Sequence, residues 1–165
     1  MPKISQVTPG FSVAGTLTAE DFKQLAHLGF KTVISFLPDR EAASLSAERG
    51  RRAAADAGLN YINIPSSKHE IFTDVVVSAT ASALKSAEGP VLGHCVSGQR
   101  ALIIWAATQA RQRSVGAVLQ QLKSAGFDLD FLRDDLEAQA DRASWNSALK
   151  SPAMPAASET LSAQA

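Results

Sequence analysis

Short β-branched runs alternate along the chain with longer stretches whose apolar residues recur at helical spacing. Thr32-Val33-Ile34-Ser35-Phe36 is a run suited to a central strand, Tyr61-Ile62-Asn63-Ile64 is a second, and Val91-Leu92 is a short buried third. Apolar pieces between Ile4 and Val13 are broken by Thr8-Pro9-Gly10, which predicts an edge strand or hairpin at the start. Between these runs lie the helices. Thr18-Ala19-Glu20-Asp21 opens one that carries Phe22, Leu25, Ala26 and Leu28 on one face and stops at Gly29. Leu37-Pro38-Asp39 breaks the central run, and an Ala- and Arg-rich helix is predicted from about Glu41 to Ala57, with Gly58 as its cap. Thr73 reads as the N-cap of a helix toward Ala87, Ala101 to Arg113 has the spacing of a packed helix, and Ser114 caps another that ends at Gly126. Leu129 to Ala140, reaching toward Leu149, is a further amphipathic segment.

Strands alternating with helices in this order predict an α/β domain with a central, largely parallel sheet flanked by helices. In such sheets ligands bind beyond the carboxyl ends of the strands, which is where Asp39, His69 and Cys95 fall. The domain is read as residues 1–150. From Ser151 to Ala165, Ser, Ala, Pro and Gln dominate with little to bury, so a disordered tail is the expectation there.

Composition narrows the function. The chain has 165 residues, 45% of them hydrophobic and 19% charged, with 16 basic and 16 acidic side chains. No net positive charge pulls it toward nucleic acid or an anionic membrane, and neither partner is expected. A single cysteine allows no intrachain disulfide, and with no apolar leader and no apolar run long enough to span a bilayer, a cytoplasmic location is expected. His27, His69 and His94 lie far apart without metal-ligand spacing, so no metal and no cofactor is expected. The oligomeric state is left open.

Chemistry concentrates in the stretch from Gly89 to Ala101. An apolar strand enters His94-Cys95, and Val96-Ser97-Gly98-Gln99 then carries Arg100 into a helix. Successive amide N–H groups in such a turn converge on one spot, where the helix N-terminus adds partial positive charge. That arrangement makes a cup for a small anion. Lowering the Cys95 thiol from about 8.5 by about three pH units takes roughly 4 kcal/mol, for which the amides, Arg100 and a protonated or hydrogen-bonding His94 are the sources. The plain alternative is a small buried hydrophobe, since a lone cysteine after an apolar strand is often only that. Trp105, on the helix after Arg100, reads as core.

With those residues in place, the chain resembles the phosphatase-like domain of beta-lactamase hydrolase-like proteins, a bacterial relative of the dual-specificity protein tyrosine phosphatases. The likeness covers roughly residues 3 to 140. It is carried by Phe36-Leu37-Pro38-Asp39, by Ile64-Pro65, by Gly89-Pro90-Val91-Leu92 leading to His94-Cys95-Val96-Ser97-Gly98-Gln99-Arg100, and by Ser124-Ala125-Gly126-Phe127-Asp128. The resemblance implies a protein tyrosine phosphatase-like fold, Cys95 as nucleophile and Arg100 clamping the substrate anion. Three departures stand out. Only Gln99 separates Gly98 from Arg100, so the loop is one residue shorter than the usual phosphatase pattern. Ala101 stands where a hydroxyl helps the phosphocysteine break down, and Ser66, Ser67 and Lys68 follow Pro65 where an aspartate normally protonates the leaving group.

Three functional readings follow. In a phosphatase-type hydrolase the substrate is a phosphate ester, and the general acid must come from His69, Asp39, Glu70 or Asp74. A sulfurtransferase, similar to rhodanese-type enzymes in its four loop positions after the cysteine, would carry a persulfide on Cys95 and take an anionic sulfur donor. The third is a binding module that keeps the anion cup without turnover.

Overall fold

The computed structural model describes residues 2–42 and 45–150; the predicted tail from Ser151 lies outside the described residues. Five strands form one sheet in the order β1-β2-β5-β3-β4: β1 (Ile4–Thr8), β2 (Phe11–Ala14), β3 (Thr32–Ser35), β4 (Asn60–Asn63) and β5 (Val91–His94). Only β1 runs antiparallel, to β2, which makes the expected N-terminal hairpin and leaves β1 on the edge. All other pairings are parallel.

β5 lies at the centre, with Gly93 level with Val13 on one side and Ile34 on the other. Strand side chains alternate between faces, so Leu92 and Val33 enter one core while Val91 and Ile34 enter the other. The smaller core joins Leu92 and Val33 to Phe22 and Leu25 of α1 (Asp21–His27) and Ala54 of α2 (Ala47–Ala57). The larger core joins Phe11, Ile34 and Phe36 to α3 (Asp74–Ser86), α4 (Gln99–Ala110), α5 (Val115–Ser124) and α6 (Arg133–Lys150). Trp105 is core as read, its ring stacked on Phe11 with centroids 5.6 Å apart.

Local chemistry explains most helix ends. Thr73 and Ser114 accept hydrogen bonds from the N–H groups of Val76 and Ala117, and Gly58 ends α2 at a φ of 78°. Three expectations need correction. The helix predicted from Glu41 starts only at Ala47: Asp39–Glu41 forms a separate 3-10 turn, Ser46 caps α2 through Arg49 N, and Asp39 Oδ1 accepts the N–H of Ala47. Leu28, placed on the apolar face of α1, is 54% exposed because it is the C-cap rather than part of the buried stripe. The last helix begins at Arg133, after a 3-10 turn over Asp130–Leu132.

Gly93 has no room for a side chain at the sheet centre. An added Cβ meets Phe11 Cζ at 2.9 Å and Phe36 Cε2 at 3.4 Å. Gly93→Ala is expected to destabilise the fold by about 1–3 kcal/mol through overpacking of these rings. Urea unfolding measures this, and an unchanged midpoint would mean that Phe11 yields freely.

Candidate functional site

The stretch singled out in the sequence leaves the carboxyl end of β5 and turns into α4. His94 and Cys95 are each 1% exposed. The neighbouring strands anchor them: Phe36 N donates to His94 O at 3.0 Å, and Cys95 N donates to Ala14 O at 3.3 Å. The turn then doubles back so that Gly98 N donates to Cys95 Sγ at 3.1 Å, with Gly98 as the N-cap of α4 at φ 88°. That positive φ suits glycine, and a Cβ there also meets the Ala14 backbone at 3.3 Å.

The segment after β2 braces the turn from outside. Thr16 donates to Val96 O through N at 3.1 Å and through Oγ1 at 3.3 Å. Gly15 permits this approach, since a Cβ on it would lie 2.7 Å from Val96 O. Ser97 Oγ accepts Gln99 N at 3.3 Å, which tightens the entry to α4. Val96, Ser97 and Gln99 are exposed and Gly98 is buried.

Arg100 does not float beside this loop. Its Nη2 donates to Glu41 Oε1 at 2.9 Å, while Nη1 donates to Glu41 Oε2 at 3.3 Å and to Ser66 O at 2.8 Å. The guanidinium thus ties the turn after β3 to the segment after β4. Glu41 was absent from the sequence-predicted set. Its signal was its place two residues past Asp39 in the same sheet-edge segment, obscured there by the predicted helix start. Ser66 contributes a backbone carbonyl, which no side-chain pattern reveals.

Electrostatics separate the predicted groups. Burial pushes His94 down to about 4, opposed by the Cys95 backbone alongside, and neither ring nitrogen has a hydrogen-bond partner among the described residues. His94 is therefore neutral near pH 7, so of the two alternatives, a protonated or a hydrogen-bonding His94, the protonated one does not apply there. Glu41 is held below the ordinary carboxylate range chiefly by the Arg100 hydrogen bond.

Three of the four candidate proton donors hold partners of their own. Asp39 is exposed with its carboxylate on Ala47 N. Glu70 is exposed, accepts Ser67 N at 3.0 Å and is held low by its Ser67 hydrogen bonds. Asp74 lies in the first turn of α3. Its carboxylate is bound by Arg111 at 2.5 Å and Arg142 at 3.3 Å, and the Arg111 hydrogen bond lowers it. Arg111 caps the far end of α4, about 16 Å along the helix from Arg100. His69 lies exposed in the loop that also supplies Ser66, without a hydrogen bond among the described residues. No group of three or more metal-ligating side chains occurs among the described residues, and no helix among them is long and apolar enough to cross a membrane.

The family model for the beta-lactamase hydrolase-like protein, phosphatase-like domain, matches residues 3–112. The chain belongs to this family. A beta-lactamase hydrolase-like protein of Agrobacterium fabrum is 31% identical over 141 residues, covering 84% of this chain and 32% of the relative. The chain thus spans about a third of that relative's length. Among solved structures, a candidate phosphatase of Neisseria meningitidis Z2491 is 26% identical with a TM-score of 0.69, covering 82% of this chain and 97% of its own. P. aeruginosa TpbA, solved in complex with pTyr, shares the fold at 20% identity and a TM-score of 0.55, covering 86% of this chain and 90% of its own. The sheet and its helices are those of protein tyrosine phosphatase-like phosphatases, as the sequence predicted.

The buried His94 makes stability depend on pH. Its folded-state value lies below its unfolded value near 6.5, so between about 6.5 and 4 the unfolded chain binds a proton that the folded chain refuses. Stability is expected to fall by on the order of 3 kcal/mol as pH drops through that window. The lowered carboxylates add to the loss only at the acid end of the window and below it, Glu41 and Glu70 from near 4.5 and Asp74 from near 3.8 downward. Denaturant midpoints across pH 4–7 check this; His94→Gln is expected to flatten the curve within the window.

Proposed function

We propose that this phosphatase-like domain is a cysteine-dependent phosphatase-type hydrolase of small phosphate esters, with Cys95 as nucleophile. The observation that carries the reading is the Gly98 N–H aimed at Cys95 Sγ from the first turn of α4. That donor stands 3.1 Å from the sulfur, at the N-terminus of α4, where an incoming anion would meet the amide dipoles. The family match and the pTyr complex of TpbA support a phosphate ester as the substrate class.

In this reading the Cys95 thiolate attacks phosphorus, an S–P bond forms, and the P–O bond to the leaving group breaks with its electron pair on oxygen. The amides of Val96 to Arg100 and the Arg100 guanidinium hold the equatorial oxygens. Water then attacks phosphorus, the S–P bond breaks, and phosphate leaves with the thiolate restored. Asp39 and Glu70 already hold backbone N–H groups and Asp74 is tied to two arginines, so His69 is the remaining proton donor of the predicted set. Esters whose leaving oxygen departs with little protonation fit best.

One observation favours a second reading. Arg100 follows Cys95 after four loop positions, and Ala101, fully buried in the larger core, brings no hydroxyl to the loop. In sulfur transfer the thiolate attacks the sulfane sulfur of thiosulfate, the S–S bond breaks, and sulfite leaves with the electron pair. The Cys95 persulfide then passes its outer sulfur to an acceptor such as cyanide.

Purified protein given an aryl phosphate is expected to release phosphate, and Cys95→Ser is expected to reduce that rate by at least about 10³-fold, as loss of a covalent nucleophile does. Thiosulfate with cyanide is the opposing assay. Thiocyanate formation with a 32-Da adduct on the intact chain, and no phosphate release, would replace hydrolysis by sulfur transfer. Oxyanion binding without turnover of either donor would leave a binding module.

A further inference from the structure

The segment after β4, residues 64–73, is tied to the rest of the fold at its two ends. At the start, Ser66 N donates to Phe36 O at 3.0 Å, and Ser66 O accepts Arg100 Nη1 at 2.8 Å. At the finish, Phe72 O accepts Gln139 Nε2 of α6 at 2.8 Å. Among the described residues, the stretch 67–71 between these ties makes hydrogen bonds only within the segment: Ser67 N to Glu70 Oε1, Glu70 N to Ser67 O, and Thr73 onto Glu70 O. His69 sits exposed in that spanned stretch.

Gln139 is a costly residue for the place it fills. It is 3% exposed, one turn along α6 from the fully buried Leu136, where an apolar side chain would lose no hydration of polar atoms. Its amide is instead used at both ends: Oε1 accepts Arg111 Nε at 2.9 Å while Nε2 donates to Phe72 O. A guanidinium only donates and a carbonyl only accepts, so the two partners fix which way the amide points. Arg111 is held in turn by Asp74, with its own side chain 13% exposed. Arg142 Nη1 approaches the same Phe72 carbonyl at 3.5 Å, a longer and weaker contact. Arg100 lies in the first turn of α4 and Arg111 is its C-cap, so segment 64–73 is fastened, directly and through Gln139, near both ends of one helix.

We propose that Gln139 is a positioning residue of the site: through Phe72 O it holds the far end of segment 64–73 and so sets the place of His69 between two fixed points. The inference rests on the proposed hydrolysis with His69 as proton donor. It gives α6, which lies beyond residues 3–112 of the family match, a part in that chemistry.

Gln139→Glu tests it in the full chain, because the carboxylate keeps the acceptor for Arg111 and loses only the donor to Phe72 O. Hydrogen exchange across residues 67–72 is expected to speed up on the order of fivefold, as loss of one hydrogen bond gives, with α3 and α4 unchanged. Phenyl and p-nitrophenyl phosphate supply the chemical readout, since the poorer leaving group depends more on a proton donor. The ratio of kcat for p-nitrophenyl to phenyl phosphate is expected to rise on the order of tenfold in Gln139→Glu and in His69→Asn, and no further in the double variant. A general loss of stability lowers both rates and cancels in the ratio, so Leu136→Ala, which leaves a cavity under the same helix, should lower the urea midpoint and hold the ratio. Gln139→Met, which removes both hydrogen bonds at the same side-chain length, should repeat the rise if Gln139→Glu does not fold. An unchanged ratio in the Gln139 variant overturns the proposal, as does exchange that quickens throughout the chain or a ratio that moves equally in Leu136→Ala. Phosphate release with an unchanged ratio in His69→Asn removes His69 as donor and this inference with it. Hydrolysis of neither ester by the unmodified protein overturns the hydrolase reading itself, and the inference falls with it.

Discussion

β5 is packed between parallel neighbours and covered on both faces, so every residue along it is buried and every backbone group must be paired inside the sheet. Small and apolar side chains meet that demand through Gly93, and then the constraint meets His94 and Cys95, which are buried with the same completeness. The strand cannot continue past them, because Gly98 already takes a left-handed turn into α4. A buried thiol facing the first turn of a helix follows from this geometry. The brace of Thr16 on Val96 O and the close approach of Gly15 keep the turn from relaxing outward.

Burial also sorts the charges around the turn. His94 is neutral near pH 7 because its desolvation outweighs the opposing Cys95 backbone, and among the described residues its two ring nitrogens have no hydrogen-bond partner. Arg100, by contrast, is held by Glu41 and Ser66, which take three of its donors. Two residues near the cysteine that look similarly cationic in a sequence thus end in different surroundings. The difference lies in which neighbours the fold supplies, not in the residues themselves.

This is also where sequence reading was strong and where it stopped. The alternation of β-branched runs with helical spacing is local, so the parallel sheet, the edge hairpin and the capped starts at Thr73 and Ser114 were legible. Composition and spacing around Cys95 likewise marked the loop from His94 to Arg100. Helix starts were harder: the Ala- and Arg-rich stretch after Asp39 has helical propensity throughout, and only the Asp39 contact to Ala47 N and the Ser46 cap decide that the helix begins later. Long-range partners were harder still. Glu41 lies 59 residues from Arg100, and the Ser66 carbonyl is a backbone group that any residue type carries. Asp74 looked like any acid at a helix start until the fold brought Arg111 and Arg142 to it.

Taken together, these placements shift the chemical weight of the site from side chains to backbone. The acids near the sheet edge are committed to N–H groups or arginines, His94 is neutral, and the charge of Arg100 is matched by Glu41. In the proposed reading, what remains to hold an incoming anion is the Gly98 N–H, the other amides of the short turn and the N-terminal end of α4. Fixed amide dipoles reorganise little when charge moves, whereas a paired side chain has to be prised from its partner. In the proposed hydrolysis, a site built this way would serve best where the leaving group needs little protonation. Within the family's fold, that is a narrower chemistry than a full set of acid, hydroxyl and unpaired arginine permits.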